Sequence, residues 1–483
     1  MIDCLLIYPN PTKDSPKKGV ALGIFYCGAM LEKSGLSVEY FDSRFDSNEK
    51  LRKIIDRRVL CVGISSMTGN QLREAKEFLK FIKNEDASIF TIMGGVHPSI
   101  LPLETLSDEL VDFVVIGEGE FVLVDLIRQL KGDRRLSEVE SLCWKDGRKL
   151  IKNKRAPFID LKDLPSPLTK KTEKYYVISA KTNNLIHPTS RSCPGFCGFC
   201  YNTVVNKSQW RSMPVMKWAK EFNEMVNLAR FSHMFTGDDN IGRDKERIKE
   251  IGDVFMARGV TWHTNIRPEY LDEELIGILE RGGCTSLLLG YESGCNRILN
   301  TIIKKGLPNG VLDLRRCAEL IGRSKINALY SFMSNLPTET WGELKESMDL
   351  ADYIKKVDKK CRISFYVYGP YPGTPMYHMA LRQGFREPRS IEEWGTICLT
   401  YAANALVENL HYIASLNFRG GKGDNTSINF PGLKRLLLLP FELSAKLRWK
   451  LRFFRLFNLE KRIVKYLFGW AAARIDRLHK YNI

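Results

Sequence analysis

Cys193-Pro194-Gly195-Phe196-Cys197-Gly198-Phe199-Cys200 sets three thiols at a C-x3-C-x2-C spacing inside eight residues. Thiolates are the protein ligands of iron–sulfur clusters, and a four-iron cluster ordinarily takes four of them. The run supplies three, which leaves one iron open for a substrate or cosubstrate, as in catalytic rather than structural metal sites. A structural zinc site would ask for a second ligand pair at matching spacing, and no CxxC or HxxxH partner follows. Nine further cysteines are scattered through the chain without the pattern of a disulfide framework.

Upstream of this loop, residues 2–7, 37–41, 59–65, 88–93 and 112–116 are short apolar, β-rich runs. Helical periodicity lies between them, as in Asn70 to Lys83 with Leu72, Ala75, Phe78, Leu79 and Ile82 on one face. Such alternation predicts a doubly wound parallel sheet over residues 1–131, covered on both faces. Ligands on these sheets sit beyond the carboxyl ends of the strands. The loops there are Tyr8 to Pro11, Ser65 to Thr68, Gly94 to Pro98 and Gly117 to Glu120. Residues 132–180 turn polar and proline-bearing, and predict a linker with a hairpin near Lys145-Asp146-Gly147-Arg148. Downstream, strands are expected at 185–190, 232–236, 260–265, 285–291, 326–332 and 361–368, with helices between. Over 181–385 this gives a partial (β/α)6 barrel, with its chemistry at the carboxyl ends of the strands.

The three-cysteine loop with Phe199 before its last thiol, preceded by Thr189-Ser190-Arg191-Ser192, resembles the radical S-adenosylmethionine (SAM) enzymes; Ser192 stands where that family commonly has glycine. The resemblance implies a [4Fe-4S] cluster on Cys193, Cys197 and Cys200, with SAM on the open iron and Phe199 against its adenine. Gly94-Gly95-Val96-His97-Pro98 and the run Val114 to Glu120, followed by that loop, resemble the cobalamin-binding domain fused to many of these enzymes. That domain is flavodoxin-like, and the resemblance implies cobalamin contacts from Ser65, Thr68, Gly94, Gly95, Val96 and His97. The D-x-H-x-x-G motif of related cobalamin domains is missing, and Pro9 to Gly23 contains no histidine, so a cobalt without a lower histidine ligand is expected. A domain that kept the fold and lost the cofactor is the alternative.

Two further runs carry the resemblance into the barrel. Thr236-Gly237-Asp238-Asp239-Asn240 follows the second barrel strand; it reads as an acceptor for the SAM amino group or as a turn capping the next helix. Gly290-Tyr291-Glu292-Ser293-Gly294 implies Glu292 and Ser293 near SAM. Arg267 is left between the SAM carboxylate, a pair with Glu292 and a structural salt bridge. After the sixth strand, Gly369 to Pro375 makes a rigid turn suited to wall a substrate pocket, and Tyr366 and Tyr368 share one strand face.

The net charge is +17, and from Arg419 onward fifteen Lys and Arg stand against four Asp and Glu, which places +11 there. The body is therefore only mildly basic, and nucleic-acid binding is not expected. The region 386–483 reads as helical and basic. Its run Leu433 to Phe468 suits either a membrane surface or packing on the barrel with a solvated face. With no signal peptide or spanning segment apparent, a cytoplasmic protein is expected, with peripheral contact to the inner membrane face as an option.

The resemblance thus implies a cobalamin-dependent radical SAM C-methyltransferase, in which methylcobalamin delivers methyl to a substrate radical. Its expected partners are a reductant such as flavodoxin or ferredoxin and a small-molecule or lipid-linked substrate. A cyclase or rearrangement enzyme with the same cofactors, and a non-catalytic iron–sulfur binding protein, are the alternatives. A methylthiotransferase would need further cluster cysteines in the first domain, and Cys4, Cys27 and Cys61 lie on predicted strands or helices.

Overall fold

The computed structural model describes residues 1–11, 19–183, 185–396, 410, 413–414, 417–418 and 439–454. Its first sheet has seven strands: β1 (Ile2–Tyr8), β2 (Val38–Asp42), β3 (Val59–Ser65), β4 (Phe90–Gly94), β5 (Phe113–Val115), β6 (Leu142–Asp146) and β7 (Lys149–Lys152). Their order is β2-β1-β3-β4-β5-β6-β7. The first five pair in parallel. Alternation along β1 explains the two covered faces. Cys4 and Leu6 pack with Ile24, Phe25, Leu126 and Ile127 of helices Leu22–Lys33 and Glu120–Lys131. Leu5 and Ile7 pack with Leu72 and Leu79 of helix Asn70–Glu85 on the other side. The hairpin expected in the linker forms, and it extends the sheet: β6 pairs antiparallel with β5, and β7 with β6.

The second sheet is six-stranded, in the order β15-β14-β13-β12-β11-β8. It comprises β8 (Leu185–Ile186), β11 (His233–Phe235), β12 (Thr261–Ile266), β13 (Cys284–Glu292), β14 (Asn327–Ser334) and β15 (Arg362–Val367), all parallel. The strand expected at 185–190 is broken. Pro188 has no N–H to donate, and the chain leaves the sheet there. It then forms a separate antiparallel ribbon, β9 (Ser190–Arg191) with β10 (Arg211–Ser212). That detour delivers the cluster loop to the carboxyl end of the sheet.

Only part of the basic C-terminal run lies among the described residues. Helix Leu439–Lys450 lays Ala445 and Trp449 onto the barrel, where Trp449 meets the Phe365 ring and donates to Asp352 at 2.9 Å. Leu443, Leu447 and Leu451 remain exposed. No described helix is long and apolar enough to cross a membrane.

Candidate active site

The three cysteines lie on one tight turn, and the surrounding backbone is fixed from outside it. Cys200 N donates to Cys197 O at 3.0 Å, and Gly198 N donates to Ile303 O at 2.7 Å. Gly198 is sterically required by backbone, and Gly195 leaves the corner that the Arg267 guanidinium fills. A Cβ on Gly195 would fall 1.9 Å from Arg267 Nη1, and one on Gly198 would fall 2.8 Å from Ile302 O. Burial pushes the Cys193 thiol up, and the Cys200 thiol up to about 12. A thiolate at either position therefore needs a positive partner, which a bound iron would supply. Among the described residues no three His, Cys, Asp or Glu side chains converge on a single ion. Ligands that each hold a different iron of one cluster do not have to.

The residues expected around SAM take distinct places. Asp238 is fully buried and accepts from Thr189 N (3.2 Å), Thr189 Oγ1 (2.9 Å) and Ser190 Oγ, so it anchors the strand ahead of the cysteines. Asp239 points into open space and accepts from Asn202 Nδ2 at 2.9 Å; protein on its other sides raises its carboxyl. Thr236 is buried and donates to Thr264 Oγ1, while Asn240 accepts from Arg267 N at 3.0 Å and leaves its buried Nδ2 unpartnered. Gly237, at φ 75°, could carry no side chain: its Cβ would lie 2.5 Å from Ile186 Cγ2. Phe199 is half-buried against the core. Ser293 turns away, with its hydroxyl 3.2 Å from that of Ser347 in helix Trp341–Val357.

Arg267 is neither free nor paired with Glu292. It donates to Cys197 Sγ at 3.0 Å, to the Glu269 carboxylate and to the Lys305 carbonyl. Glu292 is buried at φ 65°, and burial raises its carboxyl against the opposing pull of Lys305 and Arg267. Lys305, 3% exposed, escaped the sequence reading. Its ammonium and the Glu292 carboxylate both overlook Gly290. Which of two adjacent lysines turns inward depends on Lys304 adopting φ 56°, and no pattern in the sequence announces that.

A cavity of about 340 Å³ joins the two sheets. Ser65, Gly94, Gly95 and Gly117 to Glu120 line it from the first; Ser190 to Ser192, Asn206, Gly237 and Asp239 line it from the second. Thr68, Val96 and His97 do not. His97 is buried, with Nδ1 3.0 Å from Thr68 Oγ1 and its ring 5.7 Å from that of Trp394. Burial holds its imidazole down to about 3, hence neutral.

This pairing of a glycine-edged cavity with a three-cysteine loop has counterparts. Residues 13–127 match the B12 binding domain and residues 188–351 match the radical SAM superfamily. The chain belongs to the B12-binding radical SAM enzymes. Such enzymes work with a [4Fe-4S] cluster, SAM and cobalamin, and need a reductant. An uncharacterized methyltransferase of Pyrococcus horikoshii is 28% identical over 395 residues, spanning 78% of this chain and 83% of that protein. The cytidylyl-2-hydroxyethylphosphonate methyltransferase of Streptomyces wedmorensis is 26% identical over 448 residues, spanning 80% and 82%. Among solved structures, the cobalamin-dependent SAM radical enzyme OxsB with aqua-cobalamin bound superposes with a TM-score of 0.72 at 17% identity, over 99% of this chain and 77% of that one. At that identity the likeness concerns the fold.

Proposed function

We propose that this enzyme methylates a carbon of a small-molecule substrate, with the three cofactors held on either side of one cavity. The carrying observation is that Ser65, Gly94 and Gly95 share that cavity with Gly237 and Asp239, so both halves of the chemistry open onto a single space. Methyltransferase relatives over most of the chain favour methyl transfer above cyclisation. When bound, cobalamin supplies the methyl group, and the cluster with SAM supplies a carbon-centred radical.

In this reading Cys193, Cys197 and Cys200 hold the cluster. Asp239, which opens onto the cavity, would accept from the SAM amino group, and the buried Lys305 beside Glu292 would face its carboxylate, each a charge-assisted contact. Asp238, Thr236 and Asn240 fix the backbone that carries them. Phe199 stays the expected adenine neighbour. Gly94 and Gly95 let the cobalamin tail approach the sheet, while Thr68, Val96 and His97 support the loops from behind. Anaerobically reconstituted protein given SAM labelled in its methyl group tests this. Label passing to bound cobalamin, together with reductant-dependent release of 5′-deoxyadenosine, is expected; deoxyadenosine without label on cobalamin would point to a cyclase or rearrangement enzyme.

A lipid-linked substrate gains support from one feature. Leu443, Leu447 and Leu451 form an exposed apolar stripe beside Lys446 and Lys450, in a region bearing +11, the composition of an interfacial helix on anionic lipid. Flotation on phosphatidylglycerol vesicles should be lost on changing the three leucines to serine; wild-type protein that fails to float refutes it.

A further inference from the structure

Glu118 receives hydrogen bonds from three separate stretches of chain. Arg191 Nη1 donates to Oε1 at 2.7 Å. Arg211 donates to both oxygens, Nη2 to Oε1 at 2.9 Å and Nη1 to Oε2 at 3.0 Å. The linker closes the set, with Ile159 N donating to Oε2 at 2.9 Å and Ile159 O accepting from Arg211 at 2.7 Å. Arg191 is itself shared, since its Nη2 reaches Glu120 Oε1 at 2.6 Å and its guanidinium lies 5.2 Å from the Tyr26 ring centroid. The two guanidiniums pull the Glu118 carboxyl below its ordinary range despite burial.

The placement of these groups gives the network its meaning. Glu118 and Glu120 sit on the loop after β5 that walls the cavity, and Tyr26 lines the same cavity. Arg191 stands two residues ahead of Cys193, and Arg211 is its partner across the β9–β10 ribbon. A stretch of cavity wall is thus bonded directly to the lead-in of the cluster loop. Two charges on each side compensate one another, and the paired guanidinium forks restrict rotation as well as distance.

We propose that Glu118, with Arg191 and Arg211, is a positioning clasp that sets the distance between the cobalamin cavity and the cluster loop. None of the three is a catalytic residue. They act by holding the reacting centres in one arrangement, where displacements of an ångström cost large factors in rate. The proposal rests on the cofactor reading above.

The test uses the full chain, reconstituted with cluster and cobalamin, and reads the magnetic interaction between cob(II)alamin and the reduced cluster by pulsed electron paramagnetic resonance. Wild type should give one narrow interspin distance. Glu118→Gln removes the charge and keeps the shape, and Arg191→Lys keeps the charge and loses the fork. Both should retain their iron and give a broadened distance distribution, with substrate-free deoxyadenosine release changed several-fold. Arg211→Gln, which spares the Arg191 bonds, should fall between and serves if either variant misfolds. Variants that bind both cofactors and keep the wild-type distribution overturn the clasp. A wild type that takes up no cobalamin overturns the underlying reading instead.

Discussion

The loops of the first sheet and the strand ends of the second face the same cavity with opposite materials. Ser65, Gly94, Gly95, Gly117 and Gly119 offer backbone and small side chains, and the carboxylates of that wall, Glu118 and Glu120, are already paired with Arg191 and Arg211, so selection there is by shape. From the second sheet Asp239 brings charge into that cavity, and Glu292, Lys305 and Arg267, which do not line it, form a largely buried charged cluster at the strand ends, so selection there is by electrostatics, whose strength grows as water is excluded. The difference teaches that the two halves should fail differently: one by being filled, the other by losing a charged or ligating atom. Cys193→Ala is the most severe test of the second kind. Iron content should fall to background and reductant-dependent SAM cleavage should vanish, while cobalamin uptake, read from its absorbance, persists. Loss of both would mean that the cavity and the cluster loop form one folding unit.

Filling the first half should be nearly as damaging to cobalamin and harmless to iron. Gly95 holds φ 93°, and a Cβ there would lie 2.7 Å from Ser66 O and 2.8 Å from Ser66 N. At ψ −165° this backbone is essentially glycine-only, so a side chain would strain it by about 1–3 kcal/mol and force the loop to shift; a shift that loses roughly 1.4 kcal/mol of cofactor contact is a factor of ten in affinity. Gly95→Val should therefore weaken cobalamin binding at least about tenfold by equilibrium dialysis, with the cluster spectrum unchanged. Undiminished cobalamin affinity would remove Gly95 from the site.

The architecture was legible because β-rich apolar runs alternate with helical periodicity, a signal that survives in any surroundings. Two departures stand out, one local and one long-range. Pro188 broke the expected strand over 185–190, and the hairpin at Lys145 to Arg148 joined the edge of the first sheet, which its own residues do not specify. The cysteine trio was legible because its members are adjacent in sequence. Lys305 and the Glu118–Arg191–Arg211 network were not, since the ion pairs join residues 73 and 93 positions apart and exist only once the two sheets meet. Arg267 shows the intermediate case: its strand-end position was readable, but its bond to Cys197 depends on the empty corner at Gly195. The basic run before Leu439 and from Arg455 onward lies outside the described residues.

Acid should separate two regions with the smallest effect of all. His97, behind the glycine loops, is held by burial at about 3 against an ordinary 6.5. An unfolded chain then binds a proton that the folded one refuses, so this residue makes stability fall as pH drops below 6.5. Glu339, beyond β14, is pushed by burial up to about 7 from an ordinary 4.5, with Oε1 unpartnered. Here the folded chain holds the extra proton, so stability is greatest below 4.5 and declines as pH rises to 7. Between pH 5 and 6.5 the two slopes oppose, each on the order of 1–2 kcal/mol after allowance for local relaxation. Hydrogen exchange, corrected for its intrinsic pH dependence, should show β4 gaining protection and residues 335–340 losing it as pH is raised. His97→Gln should flatten the first response alone and Glu339→Gln the second alone. Parallel responses in both regions would mean that one global opening governs exchange, and that the two sheets do not open independently.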